Sequence, residues 1–474
     1  MPTYRRAIVW LRRDLRLDDN VALANALDQS ADVTPAFILD PKLLRGERVG
    51  AAIVQFFFES VAELRARLRG LASELLILEG DAIEALPRAV RSVRADAVFF
   101  NDDYEPGARV RDDAVERSLR DDGVHVARST DHVYFGADEV TQRDGKPYTV
   151  FTPYKRRWLA SHVEQPRPPL RAKLARLTRR DQLPESLPVP VPADYGHASS
   201  SKFPRGGERR AKQLLQTFVR GRIDDYDRDR NLPAIEGTSL LSPHLRAGTI
   251  GIRTCVAAAA GLDGAGPRTW LDELVWRDFY QQIVFHFPRL EREPFVSGAE
   301  RIRWIDDGRD WDAWTRGATG YPIVDAAMRQ LNETGWMHNR LRMIVASFLS
   351  KHLLIDYRRG ERYFEQHLAD ADPAANNGGW QWSSSVGTDP MPYFRIFNPT
   401  LQGKTFDPNG AFVRRYVPEL ARIPDAYVHA PWTMPPLAAA EARCTIGRDY
   451  PPPIVDHAEA RGRALAVYTL ALRR

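Results

Sequence analysis

The feature that most constrains this chain is a rhythm near its start. Short runs of β-type residues at 7–11, 34–39, 75–78, 97–100 and 124–126 alternate with helical stretches such as 54–69 and 108–120. Continuous apolar strands separated by helices require both sheet faces to be covered, which is the pattern of a parallel sheet with helices on two sides. Residues 1–132 are therefore expected to form an α/β, doubly wound parallel-sheet domain.

The pattern then changes twice. Pro166, Pro168, Pro169, Pro184, Pro188, Pro190, Pro192 and Pro204 make residues 133–206 too proline-rich for a core element, so this stretch reads as an interdomain connector. Beyond it Ala211, Leu214, Leu215 and Phe218 recur at helical spacing, and residues 325–354 and 461–472 behave as further amphipathic helices. Residues 207–474 are expected to be a larger, all-α domain.

Several function classes fall away. No apolar run approaches the roughly 18 residues of a membrane span, and the five-residue apolar run behind Arg5 and Arg6 is too short for a signal-peptide core, so a cytoplasmic protein is expected. Cys255 and Cys444 are the only cysteines, too few for a disulfide framework or a thiolate metal site, and no metal is expected. A dinucleotide-type glycine fingerprint, a phosphate-binding P-loop and a His-Glu-x-x-His helix are all missing. A formal net charge of +5 suits a polyanionic partner but also simple solubility.

Chemistry concentrates in the helical half. Trp270, Trp276, Trp304, Trp311, Trp314, Trp336, Trp380, Trp382 and Trp432 are nine of the eleven tryptophans, a density that serves either a helical core or a surface on which planar rings stack. Thr238, Ser239 and Ser242 follow Gly237 just before an expected helix. They suit hydrogen bonds to phosphates or plain helix capping. Between Asp370 and Trp382, carboxylates, amides, glycines and aromatics crowd what reads as a loop, one costly to bury without a polar ligand.

These motifs carry a resemblance. WLRRDLRLDDN at 10–20, VFTPY at 150–154, EGTS at 236–239, WRDFY at 276–280, TGYPIVDA at 319–326, GWMHNR at 335–340 and NNGGWQW at 376–382 resemble, in this order, the photolyase/cryptochrome family over essentially the whole chain. Among its branches the likeness is to class I cyclobutane pyrimidine dimer (deoxyribodipyrimidine) photolyases. The resemblance implies a light-driven carbon–carbon lyase acting as a monomer on UV-damaged DNA, associated with the nucleoid through that DNA. It also implies one non-covalent FAD per chain, folded in the helical domain, whose excited reduced anion lends an electron to the flipped dimer.

By motif position, the resemblance assigns Tyr226, Thr238, Ser239, Leu240, Leu241, Ser242, Arg342, Asp370, Ala371, Asp372 and Asn376 to the FAD, with Asn376 facing the flavin N5. It places Glu273, Asn376 and Met343 in the chemistry. Arg230, Trp270, Glu273, Trp276, Arg277, Asn339, Arg340, Arg342, Met343, Trp382 and Arg395 are assigned to the DNA, and Arg342 is expected to pair with Asp370. A thymine dimer is weakly stacked, so flipping it costs a few kcal/mol, which aromatic stacking of roughly 1–3 kcal/mol per base offsets.

Two positions depart from the family pattern. Its photoreduction chain of three tryptophans is matched by Trp380 and Trp304, but the middle place holds Tyr357, which predicts slower or rerouted photoreduction with Trp382 or Trp336 as detours. Gly107 and Ala108 stand where folate-binding relatives carry Asn-Glu, so a deazaflavin antenna, or none, is expected rather than methenyltetrahydrofolate. Two alternatives remain beside this reading, a cryptochrome-type photoreceptor and a photolyase for the (6-4) lesion. Asn376 argues against the first, and the single His338 in the 336–340 motif, where the second wants a His pair, argues against the other.

Overall fold

The computed structural model describes residues 2–472. Five strands, β1 (Tyr4–Leu11), β2 (Ser30–Leu39), β3 (Leu76–Glu79), β4 (Ala97–Asn101) and β5 (His125–Ser129), pair in parallel in the order β3-β2-β1-β4-β5. They fall on the five runs read from the sequence, and the order reverses between β1 and β4. The longer helices between them are α1 (Val21–Gln29), α2 (Ala51–Gly70), α3 (Ala82–Val93) and α4 (Pro106–Asp121). Ile8, Trp10, Val98 and Phe100 point to one face, where Leu86, Val90 and Val93 of α3 and Val115 and Leu119 of α4 close over them. Ala7 to Leu11 are all buried, as a strand covered on both faces must be.

The chain forms two compact units that do not follow the boundaries read from composition. The first comprises Met1–Asp224, Ser239–Pro288 and Ala369–Ala374; the second comprises Asp225–Thr238, Arg289–Leu368 and Ala375–Arg474. The proline-rich stretch lies along the sheet edge in the first unit. Thr178 N–H donates to Val33 O at 2.8 Å, Ser73 Oγ to Thr178 O at 2.7 Å, and Leu187 N–H to Ile77 O at 3.1 Å. Its prolines remove donors but leave enough backbone to pair with β2 and β3. The first unit also holds the helices α5 (Phe151–Glu164), α6 (Glu208–Gly221), α7 (Ser242–Ala247) and α8 (Ala265–His286).

The second unit is helical, and two sequence expectations change there. The single helix expected over 325–354 is three pieces: α10 (Pro322–Thr334), α11 (Asn339–Ser347) and a π-helical turn, Phe348–His352. Gly335 ends the first piece in the left-handed conformation, and His338 begins the next by accepting the Arg340 N–H on Nδ1 at 3.1 Å. The stretch 370–382, expected as a loop, is helical from Pro373 onward (α13, Pro373–Ser383). Asp372 accepts the Ala374 N–H at 3.1 Å, and Pro373 starts the helix with the φ it needs. Helices α9 (Gly308–Arg316), α12 (Tyr357–His367) and α14 (His457–Leu472) complete the parts used below.

Candidate functional site

In the first unit, charge gathers at the carboxyl ends of β1 and β4, where an open α/β sheet usually binds its ligand. Here that crevice is closed by side chains. Arg12 donates to Asn101 O and pairs with Asp112, and the cavity left among Arg12, Arg13, Asp103 and His132 is about 10 Å³, room for about one water. Arg13 is the hub. Its guanidinium meets Asp103 at 3.0 Å, Glu105, His132 Nε2 at 2.8 Å and Asp372 at 2.6 Å.

That hub fixes the entry to α13. Asp372 also accepts from Gln281 Nε2 at 2.9 Å, and Arg246 Nε donates to Ala371 O at 2.7 Å. Burial works to raise the Asp372 pKa, but Arg13, His132 and Arg246 outweigh it and hold the carboxyl well below the usual carboxylate range. Burial and the neighbouring Arg13 and Arg277 draw His132 down to about 3, so it is neutral at physiological pH. Asp372 therefore stands charged; the run Asp370–Ala371–Asp372 is buried, and its last two residues are held by Arg246, Arg13 and Gln281, all far away in sequence.

The candidate DNA residues of α8 divide. Glu273, Trp276 and Tyr280 share one face of the helix and are partly exposed, with Trp276 stacked on Phe151 at 3.6 Å and 7°. Trp270, expected beside the flipped lesion, is instead buried against Phe218 with ring centroids 5.0 Å apart. Arg277, expected at a phosphate, turns inward and donates to His132 O at 2.5 Å and to Leu245 O at 3.4 Å, which leaves little of it for DNA.

The hydroxyl-bearing turn has a built shape. A Cβ on Gly237 would stand 2.5 Å from Asp229 O, so only glycine fits there. Leu240 lies in the left-handed region at φ 56°, rare for a branched side chain, and leads directly into α7. The residue that caps α7 is the buried Leu241, whose side chain makes no cap bond; the hydroxyls of Thr238 and Ser239 precede the capping position and that of Ser242 follows it.

In the second unit, the buried Tyr226 has the Arg230 guanidinium 5.6 Å from its ring. Arg340 donates to Asn231 Oδ1 at 2.6 Å, lies 4.5 Å from the Phe406 ring and contacts Met343 Sδ at 3.8 Å. Arg342 donates from Nε to Met337 O at 2.8 Å, and Asn339 is exposed. On α13, Asn376 is half-buried with Nδ2 on Glu361 O at 2.9 Å, while Asn377 Nδ2 donates to the Glu361 carboxylate at 3.0 Å. Trp382 is half-buried and Arg395 exposed.

The redox-active side chains do not form one file. Trp304 and Tyr357 meet at 6.2 Å between centroids, but the ring neighbours of Trp380 among the described residues are Phe364 at 5.0 Å and Trp314 at 6.1 Å. Trp314 stacks on the half-exposed Trp311 at 5.5 Å. The aromatic contact leaving Trp380 thus runs through Trp314 and Trp311, not through Trp382 or Trp336. Sequence reasoning also missed Arg13, His132, Gln281 and Glu361 as supports; only the adjacent arginines of the 10–20 motif signalled the first.

The family profile described as DNA photolyase matches residues 7–172, and that described as the FAD binding domain of DNA photolyase matches residues 270–470. The chain is 40% identical over 467 residues to a deoxyribodipyrimidine photo-lyase of Alkalihalophilus pseudofirmus, with 97% of each covered. It superposes on a bacterial class III photolyase from Agrobacterium tumefaciens with a TM-score of 0.92 at 39% identity, covering 98% of both chains. On a Synechocystis cryptochrome it scores 0.89 at 25% identity, covering 98% of this chain and 100% of that one. A parallel-sheet unit, a helical unit, family profiles matched over 7–172 and 270–470, and relatives matched almost end to end place the chain in the DNA photolyase family.

Proposed function

We propose that this protein repairs cyclobutane pyrimidine dimers in DNA with light, as a cytoplasmic monomer carrying one non-covalent FAD. The donor set fits that cofactor. Hydroxyls at the strained turn before α7 suit phosphates, a charged Asp372 and the bound amide of Asn376 suit a polar heterocycle, and Trp380 Nε1 is a buried donor with no acceptor among the described residues. Bound there and reduced, FAD supplies an excited-state electron donor. Tyr226, Thr238, Ser239, Leu240, Leu241, Ser242, Arg342, Asp370, Ala371, Asp372 and Asn376 are the residues that would hold it.

The chain's own side chains do the rest. Glu273 offers a carboxyl to the imide edges of the extruded pyrimidines, Trp276 gives them a stacking surface backed by Phe151, and Met343 supplies a polarisable neighbour beside Arg340. Arg230, Arg340 and Arg395 take phosphates. Trp380, Tyr357 and Trp304 remain the candidate photoreduction residues, with Trp314 and Trp311 as the path that ring contact supports. For the antenna, a deazaflavin or no chromophore fits better than a folate. The start of α4 presents Gly107 and Ala108, and Glu105 is engaged by Arg13 and Arg246.

The observation that carries the proposal is Asn376, half-buried and anchored at the head of a helix whose capping residue is a buried, charged Asp372. Titration with a duplex bearing one thymine dimer, against the same duplex undamaged, tests it. Tighter binding to the lesion, weakening with salt, is expected. Equal binding to both duplexes by FAD-loaded protein would favour the photoreceptor reading.

A further inference from the structure

Lys351 is a buried charge that the proposed chemistry does not use. It lies fully buried in the π-helical turn Phe348–His352, continuous with α11. Its Nζ donates to Ser385 Oγ at 2.8 Å and to the carbonyl of Arg395 at 3.3 Å, and among the described residues no carboxylate pairs with it. Burial alone pulls the ammonium down to about 7. Placing a cation there without a counter-ion is unfavourable, and π-turns of this kind recur at functional sites.

What the ammonium holds is the segment that leaves α13. Ser385 and Asp389 both lie in the left-handed region, at φ 61° and 44°, strained for residues that are not glycine. Backbone bonds from Val386 N–H to Gln381 O at 3.0 Å and from Met391 N–H to Trp382 O at 3.3 Å fold the segment back on the helix. Lys351 grips its two ends, at Ser385 and at Arg395. The Arg395 carbonyl faces the buried ammonium while its side chain is exposed.

We propose that Lys351 is a positioning residue for DNA: it pins segment 384–395 to the turn after α11, the helix bearing Arg340, Arg342 and Met343, and so holds Arg395 at a backbone phosphate. This rests on the DNA-repair reading above.

The test compares binding and repair of a thymine-dimer duplex by FAD-loaded wild-type, Lys351→Met, Lys351→Gln, Arg395→Ala and Lys351→Met/Arg395→Ala proteins over a range of salt. Lys351→Met should weaken binding about tenfold and flatten the log–log salt slope by about 0.9, one phosphate. Arg395→Ala should do the same, and the double variant should lose no more than either alone, because one phosphate contact is being removed twice. Lys351→Gln, which keeps two amide donors, should recover most of the affinity. In repair the loss should fall on KM rather than kcat.

Unchanged affinity and slope in Lys351→Met, or fully additive losses in the double variant, would overturn the assignment. Should Lys351→Met not fold, Ser385→Ala decides: it keeps the ammonium and removes one of its two anchors, so a weaker complex with the flattened slope is expected and wild-type binding refutes it. A wild-type protein that does not prefer damaged DNA would instead overturn the repair reading itself.

Discussion

At the scale of single residues, the site turns on close contacts that allow one side chain only. Gly360 lies against the Trp380 ring, and a Cβ there would overlap the indole and stand 2.7 Å from Leu349 Cδ2. Gly360→Ala should therefore destabilise the fold by about 1–3 kcal/mol, the usual cost of overpacking, and displace Trp380. Thermal melting reads the first effect and the photoreduction rate of oxidised enzyme the second; a variant matching wild type in both would refute the contact. Tyr357 is the opposite case. Its hydroxyl is buried with no hydrogen-bond partner among the described residues, and burial pushes its pKa up, so oxidising the phenol leaves its proton without a side-chain or backbone acceptor there. Because ring contact leads from Trp380 to Trp314 and Trp311, Tyr357→Trp should photoreduce at the wild-type rate, and a faster variant would show that electrons pass through this position.

At the scale of elements, the ends of helices govern where the candidate residues sit. His338 caps α11, the helix of Arg340, Arg342 and Met343. Burial, then the charges of Arg340, Arg342 and Arg230, draw its pKa to about 4, below an unfolded value of about 6.5. The unfolded chain takes the proton first, so the stability this neutral cap contributes is full above about pH 6.5 and lost as pH falls toward 4. His338→Asn, a cap that does not titrate, should flatten that part of the pH dependence of melting; parallel curves would contradict it. The same ends explain what was legible beforehand. The central strands β1 and β4 were readable because they are buried on both faces over 7–11 and 97–101 and so are almost continuously apolar. Strands β3 and β5 at the sheet edges are partly exposed and left shorter runs. The break in the 325–354 helix was not readable, since Leu331, Leu341 and Ile344 keep the apolar pattern going while Gly335 and His338 interrupt the backbone. The 370–382 stretch hid its helix behind Asn376, Asn377, Gly378 and Gly379, weak helix formers that packing of Trp380 and the Asp372 cap override. Asp372 itself owes its charge to Arg13, 359 residues away in sequence, a distance no local pattern spans.

At the scale of the whole molecule, a small net charge does not prevent a basic docking face, because the arginines divide into internal and outward sets. Arg13, Arg16, Arg253 and Arg277 are held in buried pairs and carbonyl bonds, whereas Arg395 is exposed and Arg230 and Arg340 are partly so. If those three reach phosphates, the log–log slope of affinity against salt should be about −2.7, three contacts at about −0.9 each. A slope near zero would contradict the assignment. No helix among the described residues is long and apolar enough to cross a membrane. The central claim is that light absorbed by the loaded protein breaks the dimer. Its most direct test is an action spectrum: loss of thymine dimers from an oligonucleotide, measured against wavelength, with fully reduced, FAD-loaded protein and a dark control. Repair that follows the absorption of the bound reduced flavin and vanishes in the dark is the predicted result, and dimers that persist under illumination, or disappear equally in the dark, would contradict it.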